Sequence, residues 1–162
     1  MRINSTIGLT FLAVLLCVSR LIPTIDPTWA NLTPVLALAI FMPYVTDKKV
    51  SYILPLAVLL FTDLLIGFTV INLIVYLLVA FMITLSIKTS DWFITGLVGV
   101  LTWHIVINLF VYLTGDHGTT LAQTYIQAIP FDFRLLTSTM IYLYLFSLII
   151  PIRRERIAWD IL

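Results

Sequence analysis

The chain has 162 residues, of which 61% are hydrophobic and only 10% charged, with a formal net charge of +1. Soluble domains carry about 25% charged residues, so an integral membrane protein is expected, and the mean hydropathy of +1.11 agrees. The balanced charge gives no basic patch for nucleic acid, and the length suits one transmembrane domain over 1–162.

The apolar stretches predict six helices, over 6–22, 32–46, 50–66, 70–87, 92–113 and 131–150. Pro23 is expected to end the first helix, and residues 23–31, with two prolines, Asp26 and Trp29, form a loop. The lone cysteine, Cys17, excludes an internal disulfide. Val14-Leu15-Leu16 before it lacks the small residue that a lipoprotein signal needs, so Cys17 reads as a buried apolar cysteine. No A-x-A-like cleavage site follows the first apolar run, and Arg20 comes directly after it, so that run is expected to be retained as a helix.

The second helix is short for a span, since roughly 20 residues are usual. Asp47-Lys48-Lys49 makes a tight polar turn, Gly67 ends the third helix, and Lys88-Thr89-Ser90-Asp91 makes the next turn. Residues 114–129 read as a longer polar loop before the sixth helix. Six crossings put both termini on one side, together with seven of the nine basic residues: Arg2, Lys48, Lys49, Lys88, Arg153, Arg154 and Arg156. Arg20 and Arg134 fall at the other end. Cytoplasmic loops carry the Lys/Arg excess, so both termini are expected to be cytoplasmic.

Polar side chains then collect in the outer half, above an inner half of nearly pure Leu, Ile, Val and Phe. Asp63 lies one turn from the outer end of the third helix, and Arg20 has a similar depth on the first. Asp132 and Arg134 open the sixth helix, and Asn31 precedes the second. His104 and Asn108, four residues apart, share one face of the fifth, as Asn72 and Tyr76 do on the fourth. Charges at membrane depth face the bundle interior and pair, so Asp63 is expected to turn inward to Arg20. Arg20, Asn31, Asp63, His104, Asn108 and Arg134 are the candidate residues of a solute pocket, with the arginines holding an anionic group. Each also has a plainer reading: snorkelling or helix-locking for the charges, and interhelical hydrogen bonding for the asparagines and the histidine. Asn31 or Thr33 is a candidate cap of the second helix, with Pro34 in its first turn.

On the first helix, Ala13-x-x-x-Cys17 is a small-xxx-small surface for another helix, either a partner's or the fifth helix of this chain, where Gly96 and Gly99 are also small. The chain contains no HExxH, CxxC, GxSxG or P-loop, and its two histidines, His104 and His117, sit in no metal-ligand pattern. Neither catalysis nor a cofactor is expected.

The segments NLTPVLALAIF (31–41), PLAVLLFTDLLIGF (55–68) and AIPF (128–131) resemble a family of small bacterial integral membrane proteins of uncharacterised function. That family in turn resembles the substrate-binding S components of energy-coupling factor (ECF) vitamin transporters. The resemblance runs from Arg20 to the start of the sixth helix. It implies an S-component-like six-helix bundle in the bacterial inner membrane, with a vitamin-like or other small polar or anionic solute held near the outer face. It also implies a transmembrane coupling subunit, driven by ATPases, docking on helix one. S components that share such a module often carry Ala-x-x-x-Ala there; this chain has Ala13-x-x-x-Cys17, which leaves a solitary role open. The alternative is an accessory subunit of a larger membrane complex with no solute of its own. In a solute binder the outer polar residues line a cavity; in an accessory subunit they pair off among themselves.

Overall fold

The computed structural model describes residues 6–89, 91–115 and 118–149. Six α-helices follow one another: α1 (Thr6–Ile25), α2 (Val35–Val45), α3 (Lys48–Ile66), α4 (Val70–Thr89), α5 (Trp92–Thr114) and α6 (Leu121–Ile149), with a 3-10 turn at Pro27–Trp29 between the first two. Among the described residues there is no strand. Four helices are long and apolar enough to cross a membrane: α1 from Gly8, α3, α4 and α5. The chain is therefore a multi-pass, all-α membrane protein.

Helix starts are made by short polar side chains that take up the free N–H groups of a first turn. Asp47 accepts from the Val50 amide at 2.9 Å to open α3. Asp91 accepts from the Phe93 and Ile94 amides at 2.9 and 3.0 Å to open α5. The two turns that read as merely polar are thus caps. Asn72 likewise accepts from the Thr69 amide at 2.7 Å and closes the start of α4. Gly67 ends α3 at φ +128°, a backbone conformation that L side chains rarely adopt.

Three boundaries differ from the sequence expectation. α1 runs past Pro23 to Ile25, because a proline in the last turn sacrifices only one internal hydrogen bond. α2 starts at Val35 rather than at residue 32. Pro34 pushes Thr33 out of the helical region, and Asn31 sits in the left-handed region at φ +66°. Neither Asn31 nor Thr33 caps α2; its cap position is Pro34 itself, without a side-chain hydrogen bond. α6 starts at Leu121, inside the stretch that reads as a loop, and carries Pro130 in its interior. At 1.5 Å per residue its 29 residues reach about 43 Å, well beyond the roughly 30 Å of a hydrocarbon core. The expected end of helix six at Ile150 and the basic residues Arg2, Arg153, Arg154 and Arg156 lie outside the described residues.

The short α2 is the centre of the bundle. Ten of its eleven residues are buried, and it packs against α3, α4, α5 and α6. A helix too short to span is stabilised here by being enclosed in protein, not lipid. The non-helical stretch before it runs alongside α6, whose polar side chains satisfy its backbone: Ser138 donates to the Thr33 carbonyl at 3.1 Å and Arg134 to the Thr28 carbonyl at 3.3 Å. From Thr28 to Thr33 this stretch is exposed or half-buried, and the two bonds tie it to α6.

α5 and α6 form an antiparallel hairpin. A Cβ at Gly96 would stand 2.8 Å from the Met140 side chain on α6, and one at Gly99 would stand 2.9 Å from Met82 on α4. These glycines therefore admit α6 and α4, not α1, which packs mainly on α3. Ala13 and Cys17 are half-buried against the chain's own core. The exposed face of α1 is instead bulky: Phe11, Val14, Val18, Ile22 and Ile25. The inner half is also less purely apolar than expected. Thr46 bonds Ser51 at 2.9 Å, Tyr52 bonds Thr84 at 2.7 Å and Thr89 bonds Thr95 at 2.7 Å, tying helix ends together through hydroxyls.

Candidate functional site

The six candidate residues divide into two clusters and two tethers. In the first cluster, Asp63 on α3 is 1% exposed and turned inward. One carboxylate oxygen forms an ion pair with the Arg20 guanidinium from α1. The other accepts from the Tyr76 hydroxyl on α4 at 2.7 Å. Arg20 also donates through Nε to the Thr62 hydroxyl at 2.8 Å. Thr62 is fixed in turn, donating to the carbonyls of Val58 and Leu59 on its own helix. Three helices therefore meet on one carboxylate, as the depth of Arg20 and Asp63 in the sequence suggested.

The second cluster joins α5 to α6. His104 Nδ1 lies 2.7 Å from Oδ2 of Asp132, and the Asn108 amide donates to that same oxygen at 3.0 Å. The other hydrogen of the Asn108 amide goes to the His104 carbonyl at 2.8 Å. A carboxylate opposite Nδ1 places the proton on that nitrogen. The His104 ring meets Tyr125 edge-on, with centroids 5.3 Å apart, and the Tyr125 hydroxyl donates to the Ile105 carbonyl at 2.7 Å. Among the described residues no hydrogen bond joins the first cluster to the second.

The two remaining residues tether the entry to α2. The Asn31 amide donates to the Phe131 carbonyl at 3.3 Å, and Arg134 holds Thr28 while its guanidinium lies 5.8 Å over the Phe131 ring. The structure thus pairs Arg20 with Asp63 and His104 with Asn108. It does not bring Arg20 and Arg134 together around one anion.

A cleft of about 280 Å³ opens between the C-terminal end of α5 and the first three turns of α6. Asn108, Tyr112, Thr119, Thr124 and Gln127 give it polar groups, and Val111, Ala128 and Phe131 give it apolar ones. Of the six candidates only Asn108 lines it. Thr119, Thr124 and Gln127 were missed because 114–129 reads as a loop. One sequence feature would have found them. Thr120-x-x-Gln123 is a capping box: the Gln123 side chain accepts from the Thr120 amide at 2.8 Å, and the Thr120 hydroxyl accepts from the Gln123 amide at 3.3 Å. Among the described residues no group of three His, Cys, Asp or Glu side chains is placed to hold a metal ion.

Fold and site together define a small helical membrane protein in which Arg20 is paired with Asp63 and His104 with Asp132, and whose α5–α6 cleft is lined by uncharged side chains among the described residues. Comparison with known families agrees at this level: a family of unknown function, DUF6580, matches residues 2–157, and the chain belongs to it. No curated protein and no solved structure matches the chain. None of these comparisons links it to the S components of ECF transporters.

Proposed function

We propose that this protein binds a small polar solute in the α5–α6 cleft and takes part in its uptake, in the manner of an S component and without catalysis. The observation that carries this reading is the floor of the cleft. Asn108 faces it, yet is anchored from behind by Asp132 and the His104 carbonyl. A polar group held rigid at the wall of a cavity is what ligand sites are made of. The Lys/Arg distribution supports cytoplasmic termini. With that orientation the cleft, at the C-terminal end of α5, faces outward, and the bacterial inner membrane is the fitting location.

A second reading is favoured by one specific observation: most of the candidate residues are satisfied within the chain, Arg20 and Asp63 most completely. That is the pattern of an accessory subunit held in a larger complex, with no solute of its own. In such a role a transmembrane partner would meet the chain along α1.

Native mass spectrometry on tagged protein, taken gently from its own membrane, separates the two. A retained small molecule that is lost in Asn108→Ala supports solute binding. A stoichiometric larger assembly without a small ligand rejects it in favour of the accessory role.

A further inference from the structure

We infer that the α5–α6 cleft selects an uncharged solute bearing hydroxyl or amide groups, and that neither arginine serves it as an anion hook. This rests on the reading of the cleft as a solute site, and it goes against the anionic solute that the sequence suggested.

Three observations carry it. First, no described side chain lining the cleft is charged; its hydrogen-bonding groups are amides, threonine hydroxyls and a phenol. Second, both candidate arginines are engaged elsewhere. Arg20 is bound to Asp63 and Thr62; Arg134 donates to the Thr28 carbonyl and lies over the ring of Phe131 without itself lining the cleft. Third, a carboxylate backs the cleft floor among the described residues. Asp132 stands directly behind Asn108, accepting from it and from His104.

The consequence is a defined hydrogen-bonding pattern. Both hydrogens of the Asn108 amide are directed to Asp132 and to the His104 carbonyl, so what this lining residue can offer a solute is its acceptor oxygen. Gln127 makes no hydrogen bond within the described residues and offers an amide that both donates and accepts. Thr119 and Thr124 lie 3.3 Å apart, oxygen to oxygen, and can take either role. A neutral polyol or amide finds partners of both kinds here. A carboxylate or phosphate would lose its hydration with no cationic side chain among the described lining residues to compensate, beside an existing carboxylate.

The test reads the cleft without knowing the solute. In a Cys17→Ser background, which removes the lone native thiol, Gln127→Cys places one thiol in the cleft. In neutral maltoside detergent it is reacted with three methanethiosulfonates, the uncharged hydroxyethyl, the anionic sulfonatoethyl and the cationic trimethylammonioethyl. Each rate, followed by intact mass, is divided by the rate with free mercaptoethanol. The uncharged reagent should lead both others by about tenfold, the scale of a modest charge-desolvation penalty, and Arg134→Gln should leave the anionic rate unchanged. Equal relative rates, or a lead for either charged reagent, overturn the inference. Thr124→Cys is the second position if Gln127→Cys fails to fold. The native mass measurement keeps the two readings apart. A charged-reagent lead with a solute retained sinks only the solute class, whereas an uncharged lead with nothing retained sinks solute binding.

Discussion

Asp63 on α3 and Asp132 on α6 are both carboxylates held by side chains from other helices, and their surroundings differ in one decisive way. Asp63 is enclosed: its oxygens are taken by Arg20 and Tyr76 from two other helices, and its side chain is 2% exposed. Asp132 is 12% exposed and gives one oxygen to two donors, one of them on a cleft-lining residue. The first carboxylate has nothing left to offer and acts as a lock, holding α1 to α3 and α4. The second works through Asn108, whose other end is open. Charge type is alike in the two; the adjoining cleft, lined by Asn108, sets Asp132 apart.

The contrast is broken most forcefully at the lock. Asp63→Ala leaves the Arg20 guanidinium without its partner and should destabilise the protein by about 3 kcal/mol. Thermal unfolding in maltoside micelles measures it; a loss no larger than that of an average surface substitution would remove the lock from the comparison. Asp132→Asn should act more weakly on stability, by about 1–2 kcal/mol, because an amide still accepts from His104. It should nonetheless weaken retention of the proposed cleft solute, since a neutral amide holds Asn108 less firmly than a carboxylate does. Unchanged retention in the native mass spectrum would make Asp132 a second lock.

The smallest effect lies outside the membrane-spanning helices, at Asp26. Hydrogen bonds from the Thr28 amide and then the Thr28 hydroxyl hold its carboxyl below the usual carboxylate value. A pKa lowered by folding contributes stability above the ordinary value, and that stability disappears as pH falls through the lowered one. Asp26→Asn should therefore melt slightly below the parent at neutral pH and coincide with it in acid. A gap that persists or widens in acid would show that the turn at Pro27–Trp29 owes nothing to the carboxylate charge.

Much of the bundle was legible in local chemistry. The turns at Asp47 and Asp91 and the helix end at Gly67 were legible as breaks, and the structure shows the two aspartates capping the helices that follow, since capping depends on residues within one turn of each other. The pairing of Arg20 with Asp63 was legible for a different reason. Two lone charges at one depth in an apolar bundle have few other ways to be satisfied. The errors arose where neighbours in space are remote in sequence. The stretch before α2 is held by side chains of α6, some hundred residues away, which nothing local in the sequence announces. α6 continues through Pro130, and its polar first turns gain a partner in α5 through Tyr125.

The sequence by itself determined the class of the protein, because apolar composition decides the solvent a chain prefers, and it determined the number of helices through their caps and breaks. Only the tertiary structure decided which polar groups are consumed and which remain available. That choice depends on how each helix is rotated about its axis and on how far neighbouring helices run past one another. Both are set by packing across the bundle, through residues such as Gly96 and Gly99 that admit a neighbour closely. So Arg20 and Asp63 pair with each other, while the described side chains that line the α5–α6 cleft are uncharged.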